Sequence, residues 1–377
     1  MLQIIRESRV GRPQIYAGLM LLVFFAQCLW VARGRKFSEL EYQYIAAGFS
    51  SPTGQEYRGT SPFTGWVAAL PLRAIAAVRA HGPSALSSAL AIPRPWLVRL
   101  PFMIFGIWLG GALWWVARRL FDDEGGYVAL ALYCSSPAMV KIGSNIGPEI
   151  ILAWSGIGLV YTAIGVSHTL YAPPRKWVPR IGILGLSIGF ALSTALWSFT
   201  LVLLAFAFMV YLAPGRRRFV LIVLASASAI GLAVLGVVTW LTGNTFLGLH
   251  SQIAPRPTFE LIRSLWFVFT DSYALGAFFI VALTAYGSWA RARYFGNSAP
   301  LITAFSAVLL FTLVPGIHLW DATLGLSFIF IFIGGIAADL LETSFRRTVG
   351  AILIAGLVLR VVLAVVDISR WVHQNPV

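Results

Sequence analysis

Charged residues are scarce in this chain of 377 residues: Asp, Glu, Lys and Arg make up 11% of it, while hydrophobic residues make up 58%. A water-soluble globular domain carries about a quarter charged residues, so the composition excludes one. At about 20 residues per spanning helix, the apolar residues fill about ten membrane spans. We therefore expect a single all-α polytopic membrane domain over residues 1–377, with any chemistry at a membrane face.

Cysteine and histidine are also few, and this excludes several kinds of site. Cys28 and Cys134 both lie in apolar runs, so we expect packing roles for them and no disulfide framework or thiolate metal site. The five histidines lie in different segments, and no local spacing supports a metal centre. The P-loop, the dinucleotide-binding glycine motif and the HExxH zinc motif are missing. The sequence therefore shows no evident cofactor.

Acidic residues are half as numerous as basic ones, 14 against 28, which gives a formal net charge of +14. The basic residues come in twos and threes between apolar runs, a pattern that does not favour a nucleic-acid partner. It is typical of cytoplasmic loops, where Lys and Arg accumulate. Arg6, Arg9 and Arg12 precede the first apolar run, and we predict a retained first helix whose N-terminus is cytoplasmic.

The apolar runs predict about eleven transmembrane helices. They lie near 14–32, 100–117, 126–142, 148–167, 181–196, 199–213, 219–242, 264–288, 300–316, 319–339 and 346–366. Segment 63–80 carries Pro71, Arg73 and Arg79, and each arginine would cost a few kcal/mol or more at the bilayer centre. We place this segment on the outer surface as an amphipathic juxtamembrane helix. The later basic clusters then all fall on the N-terminal side.

This topology leaves one large extracytoplasmic loop over residues 33–99, which carries eight basic residues and three acids. One interpretation is a surface that contacts lipid headgroups, because long loops translocate whatever their charge. The other is a site for a phosphate or pyrophosphate group, since guanidinium groups suit phosphate oxygens. The sequence leaves both open.

Carboxylates on the same predicted side are candidates for proton transfer. Glu39 and Glu41 follow the first helix directly, and either could act as a general base toward an acceptor hydroxyl or amine. The alternative is that they are solvated acids that balance Arg35 and Lys36. Glu149 opens a predicted helix, where it fits either a helix N-terminus or a place beside the other two acids.

At this point the order of the motifs resembles a known family, the GT-C class of membrane glycosyltransferases. The similar group is the bacterial dolichyl-phosphate-mannose-protein-mannosyltransferase-like proteins, which include the aminoarabinose transferases of lipid A. The likeness covers residues 14–215, and residues 216–377 add further transmembrane helices. The motifs are Leu40-Glu41 with Tyr44, Ser61-Pro62-Phe63, Arg99-Leu100-Pro101, Arg118-Arg119-Leu120-Phe121 and Pro148-Glu149.

The resemblance implies an inverting glycosyltransferase that uses a polyprenyl-phosphate-linked sugar at the outer face of a bacterial cytoplasmic membrane. Glu41 would then be the base, with Glu39 in reserve, and Glu41→Gln would abolish transfer without unfolding the protein. A divalent cation held by these acids and the lipid phosphate is a further alternative. The expected substrate-binding residues are Tyr44, Arg58, Arg73, Arg99, Glu149, His318 and Asp321.

The sequence also departs from the family pattern. Leu40 stands where the family has the Asp taken to be the catalytic base, and the lysine usual near Ser193-Thr194-Ala195 is missing. These departures bring in a second interpretation, in which a GT-C-like fold has lost catalysis and serves as a structural or assembly subunit of a larger membrane complex. Protein partners would then be expected beside membrane lipids.

Overall fold

The computed structural model describes residues 11–49, 61–79, 94–170, 173–195, 198–242, 273–289, 298–313 and 323–374. These residues form thirteen α-helices and one 3-10 turn, Pro214–Arg216. The α-helices are α1 Arg12–Gly34, α2 Glu39–Phe49, α3 Pro62–Arg79, α4 Pro95–Cys134, α5 Pro137–Gly143, α6 Pro148–Thr169, α7 Pro174–Thr194, α8 Phe199–Leu212, α9 Arg217–Thr242, α10 Tyr273–Trp289, α11 Ser298–Leu313, α12 Thr323–Leu341 and α13 Arg346–Gln374.

Seven of the described helices are long and apolar enough to cross a membrane, namely α1, α4, α6, α7, α9, α12 and α13. Four shorter apolar helices, α3, α8, α10 and α11, accompany them. The predicted all-α polytopic fold is therefore confirmed, while the number of eleven spans stays a prediction. The described part of the predicted helix 264–288 begins at Tyr273.

Proline residues begin the helices around the predicted outer turn, and one of them shows that a predicted helix boundary is wrong. The predicted helix 126–142 is wrong in its second half, because α4 ends at Cys134 and a new helix begins at Pro137. Proline has no N–H to donate and its ring clashes with the preceding turn, so it opens a helix more readily than it continues one. Ser136 caps the new helix by accepting a hydrogen bond from the Met139 N–H at 3.2 Å.

Helix α4 reverses direction at Phe121 and Asp122, between the predicted helices 100–117 and 126–142. Asp122 has a φ of 65°, the only positive φ of a non-glycine residue in the described part of the chain. The two halves of α4 therefore form a hairpin. Its turn carries an ion pair between Arg118 and Asp123.

Segment 63–80 forms a helix as predicted, α3, and this helix has two different faces. Val67 and Leu72 are buried on one side, while Leu70 and Arg73 are exposed on the other. Its location at the membrane surface stays a prediction. In the fold, α3 packs against α2 and against the first half of α4.

The described helices have two ends, which we call the Arg118 end and the Arg99 end after residues of α4. At the Arg118 end, the start of α1 reaches the hairpin turn, with the rings of Tyr16 and Tyr127 6.4 Å apart. The start of α13 lies there too, with Arg346 Nη2 3.5 Å from Glu124 Oε1. The end of α1, helix α2 and the last turns of α13 lie at the Arg99 end.

The core is centred on α12, whose spanning stretch is 89% buried and packs on α4, α6, α10 and α11. Its phenylalanines Phe328, Phe330 and Phe332 are fully buried. Helix α13 is the opposite case, because only 11% of its spanning stretch is buried and most of its apolar side chains point outward. It contacts the rest of the protein through a narrow stripe that includes Ala364, Ile368 and Val372.

Candidate active site

A buried ion pair between Glu41 and Arg99 forms the centre of the Arg99 end. Arg99 Nε lies 2.8 Å from Glu41 Oε1, and Arg99 Nη2 lies 2.8 Å from Glu41 Oε2, so the pair is bidentate. The Arg99 side chain is 0% exposed and the Glu41 side chain 3%. A pair taken out of water to this degree is stable only when further hydrogen bonds satisfy the remaining donors and acceptors.

The remaining donors of Arg99 hold the segment that connects α1 to α2. Its Nη1 donates to the carbonyls of Ala32 and Arg35 at 3.0 and 2.9 Å, and its Nη2 donates to the Lys36 carbonyl at 2.8 Å. All five guanidinium N–H bonds are therefore used. Arg99, which the resemblance implies binds substrate, joins the C-terminal end of α1 to α2 in this structure.

Glu41 also closes a capping box at the start of α2. The Ser38 N–H donates to Glu41 Oε2 at 2.8 Å, and the Glu41 N–H donates to the Ser38 hydroxyl at 3.2 Å. This reciprocal pair satisfies two backbone donors at a helix N-terminus. The Ser-x-x-Glu pattern at 38–41 is the sequence signal for it.

The loop between α5 and α6 reaches the same carboxylate. The Ile146 N–H donates to Glu41 Oε1 at 3.1 Å, and this places Glu149, three residues later, close enough to interact electrostatically with Glu41. The Glu149 carboxylate folds back over Gly147, where a Cβ would lie 2.0 Å from Oε2. The structure therefore places Glu149 both in the first turn of α6 and near Glu41, which agrees with both interpretations of the sequence.

The other predicted residues of α2 and α3 differ in exposure. Glu39 is exposed, and so is Leu40 at 38%, while Tyr44 is buried at 5%. Arg73 is exposed, and its Nη2 donates to the Gly48 carbonyl at 2.6 Å. Of the predicted bases, Glu39 is thus the one open to a substrate without rearrangement.

Three predicted substrate-binding residues, Arg58, His318 and Asp321, lie outside the described residues. Within the described ranges, no group of three or more His, Cys, Asp or Glu side chains could hold a metal ion.

A second polar cluster at this end was missed by the sequence analysis. Arg35 is 8% exposed, its Nη1 donates to Asn145 Oδ1 at 3.1 Å, and its guanidinium carbon lies 3.7 Å from the centroid of the Trp371 ring. Lys141 Nζ lies 2.8 Å from Asp367 Oδ2. Burial lowers the pKa of Arg35 from its ordinary value, the charge of Arg99 lowers it further, and Glu41 opposes both.

The signal for this cluster was Lys141 itself, a charge within an otherwise apolar run. Such a residue needs a partner. The sequence does not show that this partner comes from the last turns of the chain.

An apolar groove lies at the Arg99 end of the described helices. It has a volume of about 670 Å³, and its polar lining is almost nil. Four helices form it, namely α3, the first half of α4, α7 and the last turns of α9. Aromatic side chains build one wall, with the rings of Phe105 and Trp108 5.4 Å apart and those of Phe63 and Phe190 also 5.4 Å apart. Pro101, two residues after Arg99 on α4, lies at the lining, while neither Arg99 nor Glu41 does.

Comparison with known proteins places this arrangement in a fold class. Residues 84–241 match the sequence profile of the dolichyl-phosphate-mannose-protein mannosyltransferase family. A search of curated proteins finds no match. Among solved structures, ArnT from Cupriavidus metallidurans bound to undecaprenyl phosphate superposes with a TM-score of 0.66 at 15% identity, over 92% of this chain and 62% of that one.

Two further structures agree. ArnT in the apo state gives a TM-score of 0.61 at 15% identity, over 88% of this chain and 60% of that one. AglB, the archaeal oligosaccharyltransferase from Archaeoglobus fulgidus, solved with an inhibitory peptide and a dolichol-phosphate, gives 0.52 at 14% identity, over 94% of this chain and 56% of that one. The chain thus spans about three fifths of the length of these proteins. The resemblance predicted from the sequence is confirmed, and the chain has the fold of the GT-C class of membrane glycosyltransferases.

Proposed function

We propose that this protein is a glycosyltransferase that moves a sugar from a polyprenyl-phosphate donor to an acceptor at the Arg99 end, and that this end faces outward from a bacterial cytoplasmic membrane. The observation that carries the proposal is an apolar groove at the same end of the fold as the rigid polar site formed by Glu41 and Arg99. A polyprenyl chain is an apolar ligand whose one polar group lies at its end. Such a ligand matches an apolar groove at the end of the fold that also carries charged side chains.

The proposed reaction needs little covalent chemistry from the protein. The acceptor hydroxyl or amine attacks the anomeric carbon, the carbon–oxygen bond to phosphate breaks, and the polyprenyl phosphate leaves with the bonding electrons. A carboxylate takes the acceptor proton, and attack from the face opposite to the leaving phosphate inverts the anomeric carbon. Positioning and one proton transfer therefore account for catalysis.

The carboxylates take different parts in this proposal. Glu39 is exposed and Glu149 half-buried, so either can meet a substrate. Glu41 can act as the base only if its pair with Arg99 opens, since both of its oxygens already accept hydrogen bonds from Arg99 and from backbone N–H groups. We therefore assign Glu41 and Arg99 to positioning, and proton transfer to Glu39 or Glu149. Arg73, with an exposed guanidinium, is a candidate to contact phosphate together with Arg58.

One observation favours the second candidate function, a GT-C-like subunit that has lost catalysis. Leu40 presents an apolar side chain, 38% exposed, at the position where the resemblance implies a catalytic Asp. Purification in mild detergent with mass spectrometry of the protein and its lipids separates the two. Retained polyprenyl phosphate and no stoichiometric partner would favour the enzyme, and a fixed set of partner subunits with ordinary phospholipid would favour the subunit.

Blocking the groove tests the proposal directly. Ala233 lines the groove on α9, and Ala225 is an exposed alanine on the same helix, outside the groove. We expect Ala233→Trp to weaken undecaprenyl phosphate binding at least tenfold by native mass spectrometry in nanodiscs, with Ala225→Trp as the matched control. Equal binding by the two variants would contradict the groove as the donor site. Transfer of a sugar from its undecaprenyl phosphate conjugate should fall in parallel.

A further inference from the structure

The cluster around Arg35 lies beside the candidate active site but is built by different residues. Its cations are Arg35, at the end of α1, and Lys141, in α5. The Arg35 guanidinium carbon lies 3.7 Å and Lys141 Nζ 5.4 Å from the centroid of the same Trp371 ring. Two cations that face one aromatic ring attract anions more strongly than either does alone.

Arg35 is incompletely satisfied where it lies. Its Nε is buried and finds no hydrogen-bond partner among the described residues. Its only side-chain hydrogen bond within those residues goes to Asn145, a neutral group. A buried guanidinium normally pairs with a carboxylate or a phosphate. A buried N–H donor that makes no hydrogen bond costs free energy. Arg35 thus has spare capacity for an anion.

The last turns of α13 cover these cations. Asp367 supplies one negative charge to Lys141, and its side chain is 51% exposed, so that ion pair is partly open to water. Trp371 covers Arg35. Ile368 and Val372 of the same turns are buried in the core, whereas Asp367 is exposed, so a change in the side-chain conformations of Asp367 and Trp371 would uncover both cations while the helix stays in place.

We propose that Arg35, Lys141 and Asn145 form a phosphate-binding site, and that Asp367 and Trp371 of α13 cover this site as an internal competitor that phosphate displaces. The geometry suits a phosphate group, which offers several oxygens and up to two negative charges against the single carboxylate of Asp367. The group is carried either by a polyprenyl lipid or by free phosphate. The lipid-linked source rests on the proposed function, and the free source does not.

The site also connects to the candidate active site through the backbone. The Arg35 carbonyl accepts a hydrogen bond from Arg99 Nη1 at 2.9 Å, so the residue that would bind phosphate is held by the guanidinium that pairs with Glu41. Phosphate bound by Arg35 would therefore lie at the same end as Glu149 and Glu39.

Removing the competitor tests this inference. Asp367→Asn keeps the shape of the side chain but removes its charge, so we expect affinity for phosphate to rise roughly tenfold. Adding Lys141→Gln to Asp367→Asn should abolish the gain. Glu124→Gln, which removes a carboxylate from the exposed ion pair with Arg346 at the Arg118 end, is the matched control and should change nothing.

The probes are undecaprenyl phosphate in nanodiscs, followed by native mass spectrometry, and inorganic phosphate in detergent, followed by calorimetry. A gain for both probes assigns the site to the phosphate group itself, and a gain for the lipid alone assigns it to the lipid-linked form. No gain for either probe, or a gain that survives Lys141→Gln, overturns the inference. If Ala233→Trp still blocks the lipid while Asp367→Asn has no effect, the inference fails and the proposed function stands. If Asp367→Asn raises the affinity for inorganic phosphate but no sugar transfer is found, the inference stands and the proposed function fails.

Discussion

Arg99 donates all five of its N–H bonds, and two of them go to the carboxylate of Glu41, 58 residues earlier in the chain. The other three hold the carbonyls of Ala32, Arg35 and Lys36. The pair therefore fixes the path of the chain from the end of α1 to the start of α2. The exposed side chains of Glu39 and Leu40 take their positions from this support.

The first prediction separates the two glutamates of α2. Glu41→Gln leaves the buried Arg99 without a charged partner, and breaking such a pair costs about 3–5 kcal/mol. We expect a clear fall in the thermal unfolding midpoint in detergent, with lost transfer as a consequence. Glu39→Gln should lower transfer without changing the midpoint, because the Glu39 side chain is exposed.

The comparison also decides the role of Glu41 that the resemblance implies. If Glu41→Gln lost transfer while its unfolding midpoint matched that of the wild type, Glu41 would be the base and the positioning role would be wrong. Arg99→Lys serves as a second variant, since a lysine cannot make the bidentate contact. It should lower the unfolding midpoint as Glu41→Gln does.

The second prediction concerns the contact between α2 and α3. A Cβ at Gly48 would lie 2.2 Å from the Gly65 carbonyl oxygen, and backbone cannot yield as a flexible side chain does. We expect Gly48→Ala to separate α2 from α3 and to lower the unfolding midpoint by several degrees. Gly18→Ala in α1 is the matched control, because nothing lies within 4 Å of its Cβ position, and there alanine should be neutral or stabilising.

A midpoint for Gly48→Ala equal to that of Gly18→Ala would show that α2 and α3 do not pack as described. Arg73 of α3 donates a hydrogen bond to the Gly48 carbonyl. Gly48→Ala should therefore also displace the Arg73 side chain and weaken any contact it makes with phosphate.

Much of the fold was predictable because membrane helices are encoded locally, by runs of apolar residues. Hydropathy failed to predict the break at Ser135 and Ser136. Apolar residues lie on both sides of these serines, but one helix ends before them and a new one begins at Pro137. The helical content of 63–80 was also predictable. Its burial against α2 was not, because that depends on the close approach of Gly48 and Gly65.

The site was only half predictable, for a related reason. Sequence position placed Glu39, Glu41 and Glu149 at one end, since loops on one side of a membrane share a face. It could not show that Arg99 pairs with Glu41, or that Asp367 reaches Lys141 across 226 residues. Pairing between distant residues depends on helix packing, which hydropathy does not report.

The third prediction tests the Leu40 position. Leu40 is exposed on α2 beside the rigid pair, so Leu40→Asp places a carboxylate there without burying a charge. If the protein is an enzyme that uses a less well placed base, transfer should rise by roughly two orders of magnitude, the usual scale for general base catalysis. Gln43→Asp adds an acid elsewhere on the exposed part of α2 and is the matched control.

No gain from Leu40→Asp, together with no transfer by the wild-type protein, would favour the interpretation as a subunit without catalysis. A gain from Gln43→Asp of the same size would show a general effect of added charge and would remove the significance of position 40.

The last prediction uses the glycine that the Glu149 carboxylate covers. A Cβ at Gly147 would lie 2.0 Å from Glu149 Oε2, so Gly147→Ala must move this carboxylate. The backbone there is extended, with a φ of −166°, and any residue adopts it. We therefore expect Gly147→Ala to reduce transfer as much as Glu149→Gln does, while the thermal unfolding midpoint stays near that of the wild type. Gly182→Ala, where nothing lies within 4 Å, should leave transfer unchanged. If Gly147→Ala kept full transfer while Glu149→Gln lost it, the carboxylate would act from a position other than the one it holds over Gly147. If both variants kept full transfer, proton transfer would fall to Glu39, the exposed acid of α2.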